Sequence, residues 1–178
     1  MSYRRFLAMI ATSTVVMFVL MYLNTYALDH IAYSQTRTWM ALLMGAVMAV
    51  VMMGFMWPMY PRKQLNAAIL VLAAGIFALS LWLVRSQATV DDVSYMKAMI
   101  PHHSIAILTS ERANIRDPRV RKLADGIIEA QVREIDEMQE LIEELEADPP
   151  AADAPVLPSY RASGRDAPAD SNPNPSAN

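Results

Sequence analysis

The sequence contains no cysteine, which excludes disulfides, iron–sulfur clusters and thiolate zinc sites. Charge is nearly missing from the first half: between Phe6 and Val84 only Asp29, Arg37, Arg62 and Lys63 are ionised at neutral pH. A basic face is missing too. The net charge of −3 gives no reason to expect nucleic acid as a partner. No Glu-x-x-His pair occurs, the spacing from which ferritin-like di-metal enzymes build their centres. Nor is there a recognisable Ser–His–acid arrangement for nucleophilic hydrolysis, so the chain is read as a binding protein and not an enzyme. What remains is apolar and sulfur-rich. Of 178 residues 54% are hydrophobic and 14 are methionine, whose thioethers are the only soft ligands available.

Three apolar stretches, roughly Phe6–Tyr26, Thr38–Trp57 and Leu65–Val84, are each about as long as a helix must be to cross a ~30 Å hydrocarbon core. Arg4 and Arg5 before the first one resemble the start of a signal peptide. Its apolar run is long and no small-residue cleavage site follows, so it is read as a retained anchor. Lys and Arg favour the cytoplasmic side. Arg4 and Arg5 precede the first span, and Arg62 with Lys63 separate the second from the third. The expected topology is an inner-membrane protein with a cytoplasmic N-terminus and everything after Arg85 outside, in the periplasm. His30, His102 and His103 all then fall on the outer side. In the second span Met40, Met44, Met48, Met52 and Met56 recur every fourth residue, forming one slowly winding stripe. Such a stripe is either a thioether track for a soft monovalent metal or filler between helices and lipid.

Beyond residue 86 the pattern becomes that of a water-facing amphipathic hairpin. Thr89 and Asp92 suggest a capping box opening a first helix that runs to about Asn114, interrupted by Pro101. Arg116-Asp117-Pro118 reads as stop, N-cap and first position of a second helix, which ends near Ala147 before Asp148-Pro149-Pro150. The second helix has a seam at Val120, Ala124, Ile127, Gln131, Glu134, Met138, Leu141 and Leu145. Ile128, Ile135 and Ile142 widen its apolar face, and Gln131 and Glu134 interrupt it with polarity. The first helix has a stripe at Val93, Met96, Ile100, His103 and Ile107, with Met99 and His102 alongside. If the helices turn near residues 116–117, paired residue numbers sum to about 234. His103 is then level with Gln131, Met99 with Glu134 or Ile135, and Met96 with Met138.

The polar interruptions therefore share one height. A buried carboxylate or imidazole costs several kcal/mol, roughly, unless it is paired or bound to metal. Thioethers and imidazoles beside a carboxylate favour copper, with Cu(I) or its analogue Ag(I) at the soft end. Zinc would recruit His and carboxylate without Met. The bland alternative is a core methionine cluster beside a satisfied His–Glu pair. Adjacent helical residues point about 100° apart, so His102 and His103 need not serve one site.

The string from Tyr95 through Met-Lys-Ala-Met-Ile-Pro-His-His to Ile107 resembles the signature of the domain-of-unknown-function 305 family. Ile127 to Met138 is similar to its second motif, where Gln, Glu and Met recur at this spacing. The resemblance covers about Asp91 to Glu146 and implies a ferritin-like helical fold, an extracytoplasmic location and copper or silver handling. It would assign the metal to Met96, Met99, His102, His103, Gln131, Glu134 and Met138. A four-helix arrangement would need a second copy, implying a homodimer.

The expected architecture is all-α. A three-helix transmembrane anchor (1–86) leads into an antiparallel hairpin forming half a ferritin-like bundle (87–148). A Pro- and Ala-rich disordered tail (149–178) follows. The expected function is copper or silver buffering, sensing or resistance at the outer face. The alternative is an accessory subunit whose hairpin docks a partner helix without metal.

Overall fold

The computed structural model describes residues 2–151 and 153–159 of the chain, and the described residues are helical without strands. The expected disordered tail is described only in part, residue 152 and residues 160–178 lying outside the described residues. Five α-helices follow one another: α1 (Tyr3–Leu20), α2 (Gln35–Phe55), α3 (Lys63–Ser86), α4 (Asp92–Arg112) and α5 (Pro118–Ala147). The first three are long and apolar enough to cross a membrane. All five belong to one compact unit that ends at Ala147.

Small side chains set the packing of the anchor. The buried face of α2 is Ala41, Gly45, Ala46, Ala49 and Met53, which lets neighbouring backbones approach closely. A Cβ on Gly45 would collide with Thr14 Oγ1 on α1, a hydroxyl already donating to the Ile10 carbonyl at 2.9 Å. The methionine stripe lies beside this small-residue face: Met40 is exposed, and Met44, Met48, Met52 and Met56 are half-buried. Met52 and Met56 pack against Phe6, Met53 and Tyr60, the filler role for an unbranched side chain.

At one end of the anchor the fully buried Asn66 accepts from the Tyr3 hydroxyl at 2.8 Å and donates to the Tyr60 carbonyl at 3.1 Å. A polar group in an apolar bundle must find such partners. At the other end the α1–α2 loop is tied down: Arg37 donates to the Met21 carbonyl at 2.6 Å and covers the Tyr22 ring, whose hydroxyl accepts from Ser34 N–H.

Helix α3 stops at Gln87, a left-handed residue with φ 53°, whose amide side chain caps the Val84 carbonyl at 2.6 Å. The cap of α4 differs from expectation. Asp91 is the N-cap and accepts from Ser94 N–H at 2.7 Å, while Thr89 Oγ1 instead accepts from the Trp39 indole at 3.3 Å. A carboxylate is the stronger cap and is drawn to the positive helix end, and Thr89 is engaged elsewhere. The helix continues through the buried Pro101 to Arg112. Asp117 caps α5 by accepting from Arg119 N–H at 2.8 Å, with Pro118 first in the helix, as its sequence suggests.

Replacing Gly45 with Leu is expected to destabilise the detergent-solubilised protein by about 1–3 kcal/mol through overpacking against Thr14. Gly54→Ala and Gly75→Ala, where a new Cβ meets nothing within 4 Å, should not lower the thermal unfolding midpoint.

Candidate functional site

The α4–α5 pair is held by one apolar cluster: Met96, Ile100 and Ile107 from α4 against Ile135 and Ile142 from α5. Val93, Ile128, Met138 and Leu145 pack around it. This core is rotated from the expected seam. Val120, Ile127 and Leu141 of that seam are 49%, 37% and 40% exposed, whereas its Ala124 and the flanking Ile135 and Ile142 are buried. The β-branched trio Ile128, Ile135 and Ile142 fills the interface better, which turns the expected centre line to the edge. Gln131 and Glu134 accordingly lie at the rim, half-buried, where part of their polarity still meets water.

At that rim His103 Nδ1 lies 3.1 Å from Glu134 Oε2, with the imidazole side chain 14% and the carboxylate side chain 42% exposed. Glu134 Oε2 also accepts from Gln131 Nε2 at 3.0 Å. The ring faces its carboxylate off the line a hydrogen bond requires, so Nδ1 is buried and close to charge without a hydrogen-bond partner. The expected pairing of His103 with Gln131 is thus displaced by one turn. Side chains on a helix lean toward its N-terminus, so in an antiparallel pair Glu134 reaches back toward the level of Gln131 while His103 reaches back toward the level of Met99, and the two meet between.

Burial pushes the His103 pKa below its ordinary value of 6.5, the Glu134 charge opposes that shift, and His102 adds to it. The imidazole is therefore neutral at pH 7, with a lone pair free to accept a proton or a cation. His102 is exposed, its ring centroid 6.2 Å from that of His103 and tilted by 58°, so it points into solvent beside the pair. Met99, one turn before His103, is half-buried. Met96 is enclosed in the apolar cluster and Met138 lies half-buried against it. Among the described residues no three His, Asp or Glu side chains converge on one point. A cation held here would need a donor of another kind, such as the Gln131 amide oxygen, a thioether or water.

A second polar cluster lies on α4 and escaped the periodicity. Ser104, fully buried, accepts from the Tyr26 N–H at 2.7 Å and lies 2.9 Å from His30 Nδ1. The Glu111 carboxylate beside the Tyr26 hydroxyl raises its pKa. The loop after α1 is thereby fastened to α4 at the residue next to His103. A serine inside an otherwise apolar stripe was the available signal, but its partners come from an aperiodic loop some 75 residues away.

Residues 92–175 match the family model described as a domain of unknown function, number 305. This region accommodates the motif segments of both hairpin helices; the three apolar helices precede it. The chain is also 39% identical over 77 residues to an uncharacterized protein, L153, of Acanthamoeba polyphaga mimivirus. That alignment covers 42% of this chain and 51% of the viral protein, so the chain spans about half the length of the curated relative it matches. No solved structure matches.

Because His103 is depressed in the folded state, the unfolded chain takes up its proton first as the pH falls. Stability linked to His103 is full above about 6.5 and falls as the pH drops through the lowered pKa. Glu134→Gln, which removes the opposing charge, should lower the His103 pKa further, measured by NMR titration of the imidazole.

Proposed function

We propose that this chain is a membrane-anchored metal-binding protein whose hairpin, on the outer face of the cytoplasmic membrane, takes up a soft cation. Copper(I) is the leading candidate and silver(I) its analogue, and the role is to buffer, sense or resist the metal rather than to turn over a substrate. The observation that carries this reading is the His103 Nδ1 atom, buried without a hydrogen-bond partner 3.1 Å from a carboxylate oxygen. An unsatisfied ring nitrogen beside a partly buried carboxylate is a costly arrangement, and a shared cation relieves both groups.

His103 and Glu134 would supply the nitrogen and oxygen donors. Met99 and Met138, on the adjacent turns, would supply sulfur, and Gln131 would hold Glu134 in orientation through its amide. A thioether-containing set selects soft monovalent metal over zinc, which is served by nitrogen and oxygen alone. Exposed His102 would act at the entrance. Met96 serves the core. The similarity of residues 92–175 to the domain family is consistent with this reading through the association that the resemblance implies. The competing reading is an accessory subunit whose hairpin docks a helix without metal, favoured by the exposed apolar edge of α5.

Titration of the purified full-length protein with Ag(I), with Cu(I) under reductant, and with Zn(II) separates the two. The metal reading expects Ag(I) and Cu(I) to bind well above Zn(II). His103→Ala with Met99→Leu should weaken them by more than about tenfold, and Gln131→Leu by roughly tenfold, as loss of an orienting group does. Met96→Leu should leave affinity unchanged. Equal weak binding in all variants, with helicity intact, would leave the docking role.

A further inference from the structure

The outer edge of α5 carries an apolar stripe that none of the described residues covers. Val120, Leu123, Ile127 and Leu141 are 49%, 65%, 37% and 40% exposed. On a helical wheel these side chains fall within about 60° of one another, beside the face that packs on α4. Val120 to Leu141 spans roughly 30 Å of helix at 1.5 Å per residue. Glu134 falls at the same angle and breaks the strip between Ile127 and Leu141. An apolar strip of that length on a water-facing helix, with one polar break, is the mark of a helix–helix contact.

Charge on α5 says what the contact is with. Its start carries Arg119, Arg121 and Lys122. The stretch from Glu134 to Glu146 carries seven acidic side chains and no basic one. Among the described residues Arg119 reaches Asp117, Arg121 reaches Asp125 and Lys97 reaches Glu146, surface pairs that leave most of the acidic stretch without a basic partner there. A parallel copy would set acid against acid. An antiparallel copy sets the basic start of one helix beside the acidic end of the other, the flanking-charge logic that fixes orientation in paired helices.

We propose that a second copy of this chain docks antiparallel along this edge, α5 against α5. Laying the stripe on its own reverse pairs Val120 with Leu141 of the second copy and brings Ala130 close to Ala130. Ile127 of one copy then covers the rim at Glu134 of the other. The two hairpins become four helices with both His103–Glu134 pairs next to the shared contact. The inference stands on exposure and charge and does not rest on the metal reading.

Because the chain has no cysteine, single engineered cysteines report the contact cleanly. The full-length protein, in detergent and with chelator present throughout, is treated with a short bis-maleimide. Ala130→Cys is expected to convert mostly to covalent dimer. Val120→Cys and Leu141→Cys alone should not, their copies lying about 30 Å apart, but a mixture of the two should. Ile127→Glu in the Ala130→Cys background should abolish the product at unchanged helicity. Self-crosslinking of Leu141→Cys as strong as that of Ala130→Cys would mean a parallel contact and overturn the proposal. So would a monomeric mass with no crosslink at Ala130, or a crosslink indifferent to Ile127→Glu. Protection of the stripe cysteines by lipid vesicles in place of dimer formation would assign the edge to the membrane and overturn it equally.

Discussion

Five apolar side chains, Met96, Ile100 and Ile107 on one helix and Ile135 and Ile142 on the other, decide how α4 and α5 meet, and the site follows from their fit. Once these interlock, the polar residues on either side have no freedom to choose their neighbours. His103 is carried to the rim with its ring against Glu134, and Gln131 is left one turn back to hold the carboxylate. The same packing removes water from the imidazole, and that loss of solvation keeps it neutral. Position, orientation and protonation of the candidate ligand thus have one mechanical cause.

The hairpin is fastened to the loop following α1. Ser104 follows His103 in sequence and points away from the α5 side toward Tyr26 and His30. Gln35, at the start of α2, reaches Ser94, and Trp39 reaches Thr89. Polar bonds of this kind at the end of an apolar helix bundle satisfy groups that hydrocarbon would leave bare. They also mean that a shift of α4 at His103 would be felt within one residue by the loop. In α2 itself close approach is achieved with Ala and Gly, and methionines fill the remaining gaps beside them.

Periodicity and length alone determined a good deal. Three apolar runs of spanning length, an amphipathic pair of helices, the Asp117-Pro118 start of α5 and the proximity of His103 to the Gln131–Glu134 break are local or additive properties, and the sequence writes them out directly. Apolar spacing reports a helix whatever it packs against, and two equal rises from one turn place the polar breaks at similar height. Only the tertiary structure decided which side of α5 faces inward, that Asp91 and not Thr89 caps α4, that Glu134 rather than Gln131 meets His103, and that Ser104 binds a loop distant in sequence. Each of those is a competition between neighbours of similar polarity or apolarity. Its outcome depends on the shape of the isoleucines and on the lean of side chains along opposed helices, which no single strand of letters contains.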